Sequence, residues 1–545
     1  MAKRRVGVRA GFMDRRGFVR KAGLVAAGSA LGWSPLGCAA SVINPYIPCL
    51  AEVDAPAPVA GMTYIRASAI GCALDCDLAT GLNPHTGGAA TDDAPLINAA
   101  MAGATANHPI TLLLDGSALI SGLFLPAGGY WSIAGLGCGT GFFIKTGTNN
   151  DGIHNGGPTA AVPSDPGPPA PARGSSVSLS NFTLNGNQGN GLNGDSTTGA
   201  PQGNGPADVW YFGINLMDLN NITITNVVVV NSPSYHIRLS NVGNVAVSGC
   251  VMRSVGPNTD GLHFDGPAND ITISNCDFTM GDDAIALNCP EGHSGNISRV
   301  AVSGCTFNSP DMIRLYSAFP GQPEFQIDSV TVSNCSGALS LAGFLIGYAP
   351  NNNPNAVVSL SVSDCQISAP AVLDITTDFS SVELSGVTLI PMYGSGYGFV
   401  VTSYENTGKP YRGSSLSLEN CVIQRMADVP VTGLNLTNGS TIGELAFDGF
   451  ALKDPAGSSY AAAAALLNIV SGSVGQLVLE AVTSTQIVAP VSAGGFSSIG
   501  SVSGAGVLAT GWLFPDAVMA NGTPYLSASS GESSIKVGGV VEAYP

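Results

Sequence analysis

Charge is scarce in this chain. Of its 545 residues, 20 are Lys or Arg and 37 are Asp or Glu, 10% charged in all, and 7% are aromatic. A disordered chain needs more charge and less apolar mass than the 45% hydrophobic content present here, so a long buried core is expected. Basic residues are scarcer still once residues 1–37 are set aside: twelve Lys or Arg stand against 36 Asp or Glu. That balance argues against nucleic acid and anionic membrane surfaces as partners. Lysine is rarest, with Lys145, Lys409, Lys453 and Lys536 the only four beyond that point. No long apolar run is present either; the stretch from Ala22 to Trp33 is too short to span a bilayer as a helix.

That stretch follows Asp14-Arg15-Arg16-Gly17-Phe18-Val19-Arg20, which looks like a twin-arginine export signal. The alternative is an ordinary charged start to a secretory signal. Cleavage near Cys38-Ala39-Ala40 is expected, although Pro35-Leu36-Gly37-Cys38 also resembles a poor lipoprotein box. Residues 1–40 are therefore assigned to export, placing the protein in the periplasm or outside the cell.

What the chain has in abundance is a repeat. Ile222-Thr-Ile-Thr-Asn-Val227, Val245-Ala-Val-Ser-Gly-Cys250, Ile271-Thr-Ile-Ser-Asn-Cys276 and Val300-Ala-Val-Ser-Gly-Cys305 share one pattern. It continues as Val330-Thr-Val-Ser-Asn-Cys335, Leu360-Ser-Val-Ser-Asp-Cys365 and Leu416-Ser-Leu-Glu-Asn-Cys421, the last step spanning two periods. Apolar and polar residues alternate within each unit, the sign of a strand with one buried face. The penultimate residue is always Asn, Gly or Asp, the types that tolerate positive φ, so a sharp turn is expected in every unit. A fixed period with no helical pattern between strands predicts an all-β solenoid: a single-stranded, right-handed parallel β-helix. It is assigned to residues 86–504, after an irregular arm at 41–85 and before a C-terminal strand segment or cap at 505–545. Thr91-Asp92-Asp93 reads as the N-cap of a short capping helix over Ala94–Ala104. Residues 157–174 and 185–207 read as long loops, either flanking a groove or without a role. Beyond Thr432 the repeat is blurred.

Cysteines follow the same period. Cys250, Cys276, Cys305, Cys335 and Cys365 occupy one repeat position and are expected to stack as a buried ladder of thiols, the alternative being disulfides between adjacent coils. Cys49, Cys72 and Cys76 form the other cluster, where a disulfide is favoured over a metal site because no histidine has ligand spacing.

A second register places chemistry. Aligning Ile237, Leu262, Ile285 and Ile313 as strand centres puts Arg238, His263, Ala286 and Arg314 in one column and Tyr235, Asp260, Asp283 and Asp311 in another. Adjacent strands lie about 4.8 Å apart, so Asp260 and Asp283 should face each other with Asp282 beside them. Closely packed carboxylates cannot all ionise; one keeps a proton and serves as acid while another serves as base, which is what glycosidic cleavage needs. The competing reading is a set of turn aspartates that merely satisfy backbone amides.

Asn231-Ser-Pro-Ser-Tyr-His236, Asn258-Thr-Asp-Gly261 and Gly281-Asp-Asp-Ala-Ile-Ala286 resemble, in order and spacing, the signatures of the polygalacturonase family of glycoside hydrolases. The resemblance covers about 90–400 and implies hydrolysis with inversion, Asp282 as general acid, and Asp260 and Asp283 activating water. Arg238, His263, His293, Asp311, Arg314 and Tyr316 become candidate substrate-binding residues. No cofactor and no metal are called for; the expected partner is a polysaccharide. The chain departs from the family where Gly-His-Gly is replaced by Ser309-Pro310-Asp311, and where the Arg-x-Lys clamp corresponds to Arg314-Leu315-Tyr316, lacking the lysine. Two other functions remain open: a lyase or epimerase on the same fold, and a non-catalytic glycan-binding or adhesive solenoid.

Overall fold

A computed structural model describes residues 54–503, apart from the segments 157–168, 189–210, 318–324, 348–355, 393–397, 402–409, 459–463, 485–488 and 494–496 and a few single positions, together with short strands between 527 and 543. The export segment and Cys49 lie outside the described residues, as does most of the loop expected at 185–207.

The body is a right-handed parallel β-helix. Each coil carries three strips of strand, seen in β1 (Ile214–Thr225), β2 (Ile237–Ser248), β3 (Leu262–Ser274), β4 (Ile285–Asn288), β5 (Thr306–Tyr316) and β6 (Ser336–Ile346). β1 to β3 are long because each bends from the first strip into the second without breaking; the third strip is a short piece such as Val228–Val230 or Val251–Arg253. Pairing is parallel from coil to coil, and in-register residues build continuous columns. One aliphatic column runs Ile222, Val245, Ile271, Val300, Val330, Leu360, Val382, Leu416, Leu445, Leu477 and Val502. The repeat is thus not lost beyond Thr432. Its apolar column persists while Phe450 and Val482 replace the cysteine that made earlier units conspicuous.

The turns fall where the alternation requires. Asn226, Asn275, Asn334, Asp364 and Asn420 have φ of +50 to +53°, and Gly249 and Gly304 have φ of +62 and +63°. Glycine is needed at Gly249 for a further reason: a Cβ there would lie 2.4 Å from Oδ1 of Asn226 in the preceding coil, and at Gly304 2.6 Å from Oδ1 of Asn275. At these two coils the asparagine amide of one turn occupies the space that a side chain on the next would need. Behind these turns Cys250, Cys276, Cys305, Cys335, Cys365 and Cys421 are buried free thiols, so the ladder is present without disulfides.

At the N-terminal end, α1 (Ala94–Met101) buries Ala94, Ile97 and Met101 in the same core, and Asn98 docks it through Oδ1, which accepts from Phe124 N at 2.8 Å. The helix is shorter than expected, and Asp93 caps it only by position. Its carboxylate instead accepts from Ala73 N at 2.7 Å and Leu74 N at 3.0 Å, drawing the preceding arm onto the solenoid. That arm is less irregular than its composition suggested, for it contains the strand Thr63–Arg66 paired with Ile110–Leu113. Cys72 and Cys76 are free, so the disulfide expected between members of that cluster is not formed by this pair.

Candidate active site

The column alignment drawn from sequence is the observed register. Ile237 pairs with Leu262, Leu262 with Ile285 and Ile285 with Ile313, which sets Arg238, His263, Ala286 and Arg314 side by side on the outer face of the first strip. The turn entering that strip carries the acids. Backbone bonds from Gly261 N to Asp283 O at 3.0 Å and from Ala284 N to Asp311 O at 3.3 Å lock successive turns together. Asp260, Asp282 and Asp283 each place a carboxylate oxygen within 4.8 Å of the other two.

The local sequence explains that closeness. Thr259 Oγ1 donates to Gly256 O at 2.6 Å and accepts from Gly281 N at 3.2 Å, tying the turn before Asp260 to the turn before Asp282. Gly281 makes the approach possible, since a Cβ on it would meet Gly256 O at 2.2 Å and Gly256 N at 2.3 Å. Asn258, at φ +57°, donates its backbone N–H to Asp282 Oδ2 at 2.8 Å. Asp283 Oδ2 accepts from Arg314 at 3.4 Å, and the guanidinium lies over the Tyr316 ring, 5.2 Å from its centroid.

Burial sets the electrostatics. Burial first, and then the charge of Asp283, push the Asp260 carboxyl up to about 7, against the opposing hydrogen bond from His263. Asp311, fully buried one coil beyond Asp283, is held well above the usual carboxylate range by burial and by the charge of Asp283. Asp282 is the most open of the three acids at 8% exposure, against 3% for each of the others. His236 is neutral, since burial lowers it to about 4, and its Nδ1 donates to the Asp260 carbonyl at 2.9 Å.

Several residues expected to touch substrate are instead internal. Arg238, 1% exposed, ion-pairs with Asp265 and lies 5.3 Å from the Phe212 ring centroid. His263 is fully enclosed, stacked on Tyr235 at 3.7 Å. Tyr316 is buried under Arg314. His293 lies 3.2 Å from Asp218, away from the acids. The reason is the segment between β4 and the next strand, residues 289–296, which lies across the outer face of the first strip. Its Glu291 reaches His263, and Gly292 comes against Ser240 and Asp265. Asp265 and Glu291 were not singled out from sequence. Asp265 was legible, two residues beyond His263 on the same strand face; Glu291 was not, because a loop has no period.

Two groups have metal-like spacing, His263–Asp265–Glu291 and Asp260–Asp282–Asp283. In the first, both ring nitrogens of His263 already face carboxylates, whereas a ligating imidazole must present a bare nitrogen. In the second, each carboxylate already accepts a bond, from His263, Asn258 and Arg314 respectively.

The acids all lie within one matched segment. Residues 175–336 match the family model of glycosyl hydrolases family 28. A polygalacturonase of Prunus persica is 23% identical over 215 residues, 36% of this chain and 52% of the relative. An endo-polygalacturonase of Sclerotinia sclerotiorum is 28% identical over 228 residues, 40% of this chain and 46% of the relative. The chain thus spans about half the length of these curated relatives. Among solved structures, a tailspike protein of E. coli bacteriophage HK620 shares the fold with a TM-score of 0.55 at 11% identity, over 87% of this chain and 78% of that one. The chain is polygalacturonase-like in sequence over that segment, and its parallel β-helix is one that the tailspike shares.

Proposed function

We propose that the protein is an exported glycoside hydrolase that cleaves a pectin-like or related polysaccharide by carboxylate acid–base chemistry. The observation that carries this is the joining of Asp260, Asp282 and Asp283 in one cluster, inside the segment similar to glycosyl hydrolases family 28. Asp282, the most accessible, protonates the leaving glycosidic oxygen. Asp260 and Asp283 polarise the attacking water, and Arg314 stabilises the charge on Asp283. Asp311, held above the usual carboxylate range behind Asp283, stays neutral and adds no further charge there, while Asp282 carries the proton it donates.

Arg314 is held as a cation between Asp283 and Tyr316, which suits charge stabilisation and not proton abstraction; the lyase reading lacks a base there. The coil beyond it puts Leu345 in register with Arg314, so no second cation adjoins it at that position. A bidentate uronate clamp is therefore incomplete, and the substrate class extends to glycans less acidic than galacturonan.

The stereochemical course follows the family resemblance, inversion. One observation favours the second reading: oxygens within 4.8 Å fall below the ~6.5–9.5 Å typical of inverting pairs and nearer the ~5 Å of retaining ones. The first anomer released, read by proton NMR, separates the two. The function itself is tested with Asp282→Asn on a panel of plant, algal and microbial polysaccharides. Cleavage should fall by about 10²–10⁴-fold while glycan binding persists. Undiminished turnover removes Asp282 from its role, and unsaturated products point to elimination instead.

A further inference from the structure

His263 has no open side and no unused nitrogen. Its Nδ1 lies 2.7 Å from Asp260 Oδ2; its Nε2 lies 2.9 Å from Glu291 Oε2 and 3.0 Å from Asp265 Oδ1. Tyr235 from the preceding coil covers one ring face at 3.7 Å with planes 6° apart, and Phe212 stacks behind Tyr235 at 5.3 Å. A neutral imidazole has one N–H and one lone pair, so one nitrogen would direct its lone pair at a carboxylate. Only the imidazolium donates from both sides.

We propose that His263 is a permanently charged positioning residue, an imidazolium sealed in the wall behind the acid cluster that holds Asp260 aimed and ionised for the reaction. The inference rests on the hydrolase reading for its consequence but not for its test.

Every element around the ring fits this assignment. On its own strand stands Asp265, and the turn entering that strand carries Asp260. The preceding coil contributes Tyr235 and Arg238, and Arg238 neutralises Asp265 instead of competing with His263. The following turns bring Asp282, Asp283 and Asp311, all acidic, with Arg314 beyond, paired to Asp283. The covering segment brings Glu291, whose side chain keeps 24% exposure, and His293, which is turned to Asp218. Burial opposes charge on the ring, but Glu291, Asp260 and Asp265 together outweigh it and hold the imidazole well above its ordinary value. Asp260 and Asp265 alone would give each ring nitrogen an acceptor; the third carboxylate, Glu291, comes from a different segment. Through it, the seating of residues 289–296 is coupled to the charge next to Asp260.

The chemistry gives His263 a specific effect. Asp260 already sits near neutrality because it is buried beside Asp283. Removing a positive charge 2.7 Å away raises it further, so less of it is ionised at a given pH. His263→Gln keeps a hydrogen-bond donor without the charge. In that variant the acidic limb of the pH–rate profile should move up by about one pH unit or more, with KM little changed. A merely structural histidine would lower the rate at every pH without moving the limb.

The deciding measurement needs neither activity nor a variant: neutron diffraction of the deuterium-exchanged wild-type protein at neutral pH. The proposal expects deuterium on both Nδ1 and Nε2 of His263. Deuterium on one nitrogen alone overturns it, with the missing proton then on Asp260 or Glu291. Should no tested glycan be cleaved, the hydrolase reading fails while the nuclear density still decides the charge on His263.

Discussion

Gly281→Ala probes the packing that assembles the acids. An added Cβ would stand 2.2 Å from Gly256 O and 2.3 Å from Gly256 N, with Thr259 Oγ1 at 2.7 Å. Ordinary contact for such atoms begins near 3.4 Å, so the two turns must part by about 1 Å. The nearest atoms belong to backbone, which cannot swing aside as a side chain does. Overpacking of this kind costs about 1–3 kcal/mol. The same shift moves Asp282 relative to Asp260, and a displacement of about 1 Å at a reacting group costs on the order of 10²-fold in rate. Urea unfolding and a reducing-end assay read the two effects, with Gly128→Ala as control, because a Cβ there meets nothing within 4 Å. A Gly281→Ala protein with wild-type midpoint and wild-type rate would refute the stacking argument.

Stability should fall as pH rises from about 4 to above 7. Asp260 and Asp311 have folded values above their unfolded ones, so the native state holds protons that the unfolded chain releases over that window. His263, also raised, is likewise stabilising below its unfolded value and loses that contribution as pH climbs through the folded one. Thermal melts across the range check the slope, and Asp260→Asn should flatten it. Arg425 and Asp454 form a buried pair at 2.6 and 2.7 Å; Arg425→Met removes that ion pair while keeping the buried carboxylate and should cost roughly 3–5 kcal/mol in urea unfolding. The cysteine ladder should resist a thiol reagent in the native protein and react once denatured; ready native labelling of Cys305 would contradict its burial.

The sequence was most informative where a side chain acts through the backbone. Asn226, Gly249 and their counterparts had to bend the chain with positive φ, and they do. The offset that aligned Ile237, Leu262, Ile285 and Ile313 carried Asp260 and Asp283 to the same place because the parallel pairing stays in register through that strip. It was least informative about what covers a strand. Column alignment set Arg238 and His263 side by side, as observed, but said nothing of residues 289–296 lying over them, so two groups expected to meet substrate became internal counter-charges. Asp93 misled in a similar way: its position before a helix invited a capping role, while its carboxylate is committed to Ala73 and Leu74, twenty residues back in the chain.

Hydrolysis in oxygen-18 water, followed by mass spectrometry of the products, puts the proposed chemistry to its most direct trial. Wild-type protein should leave one heavy oxygen on each new reducing end, and Asp282→Asn should leave almost none in the same time. Unlabelled products carrying a double bond would show that no water attacks the sugar, and equal labelling by the variant would remove Asp282 from its role as acid.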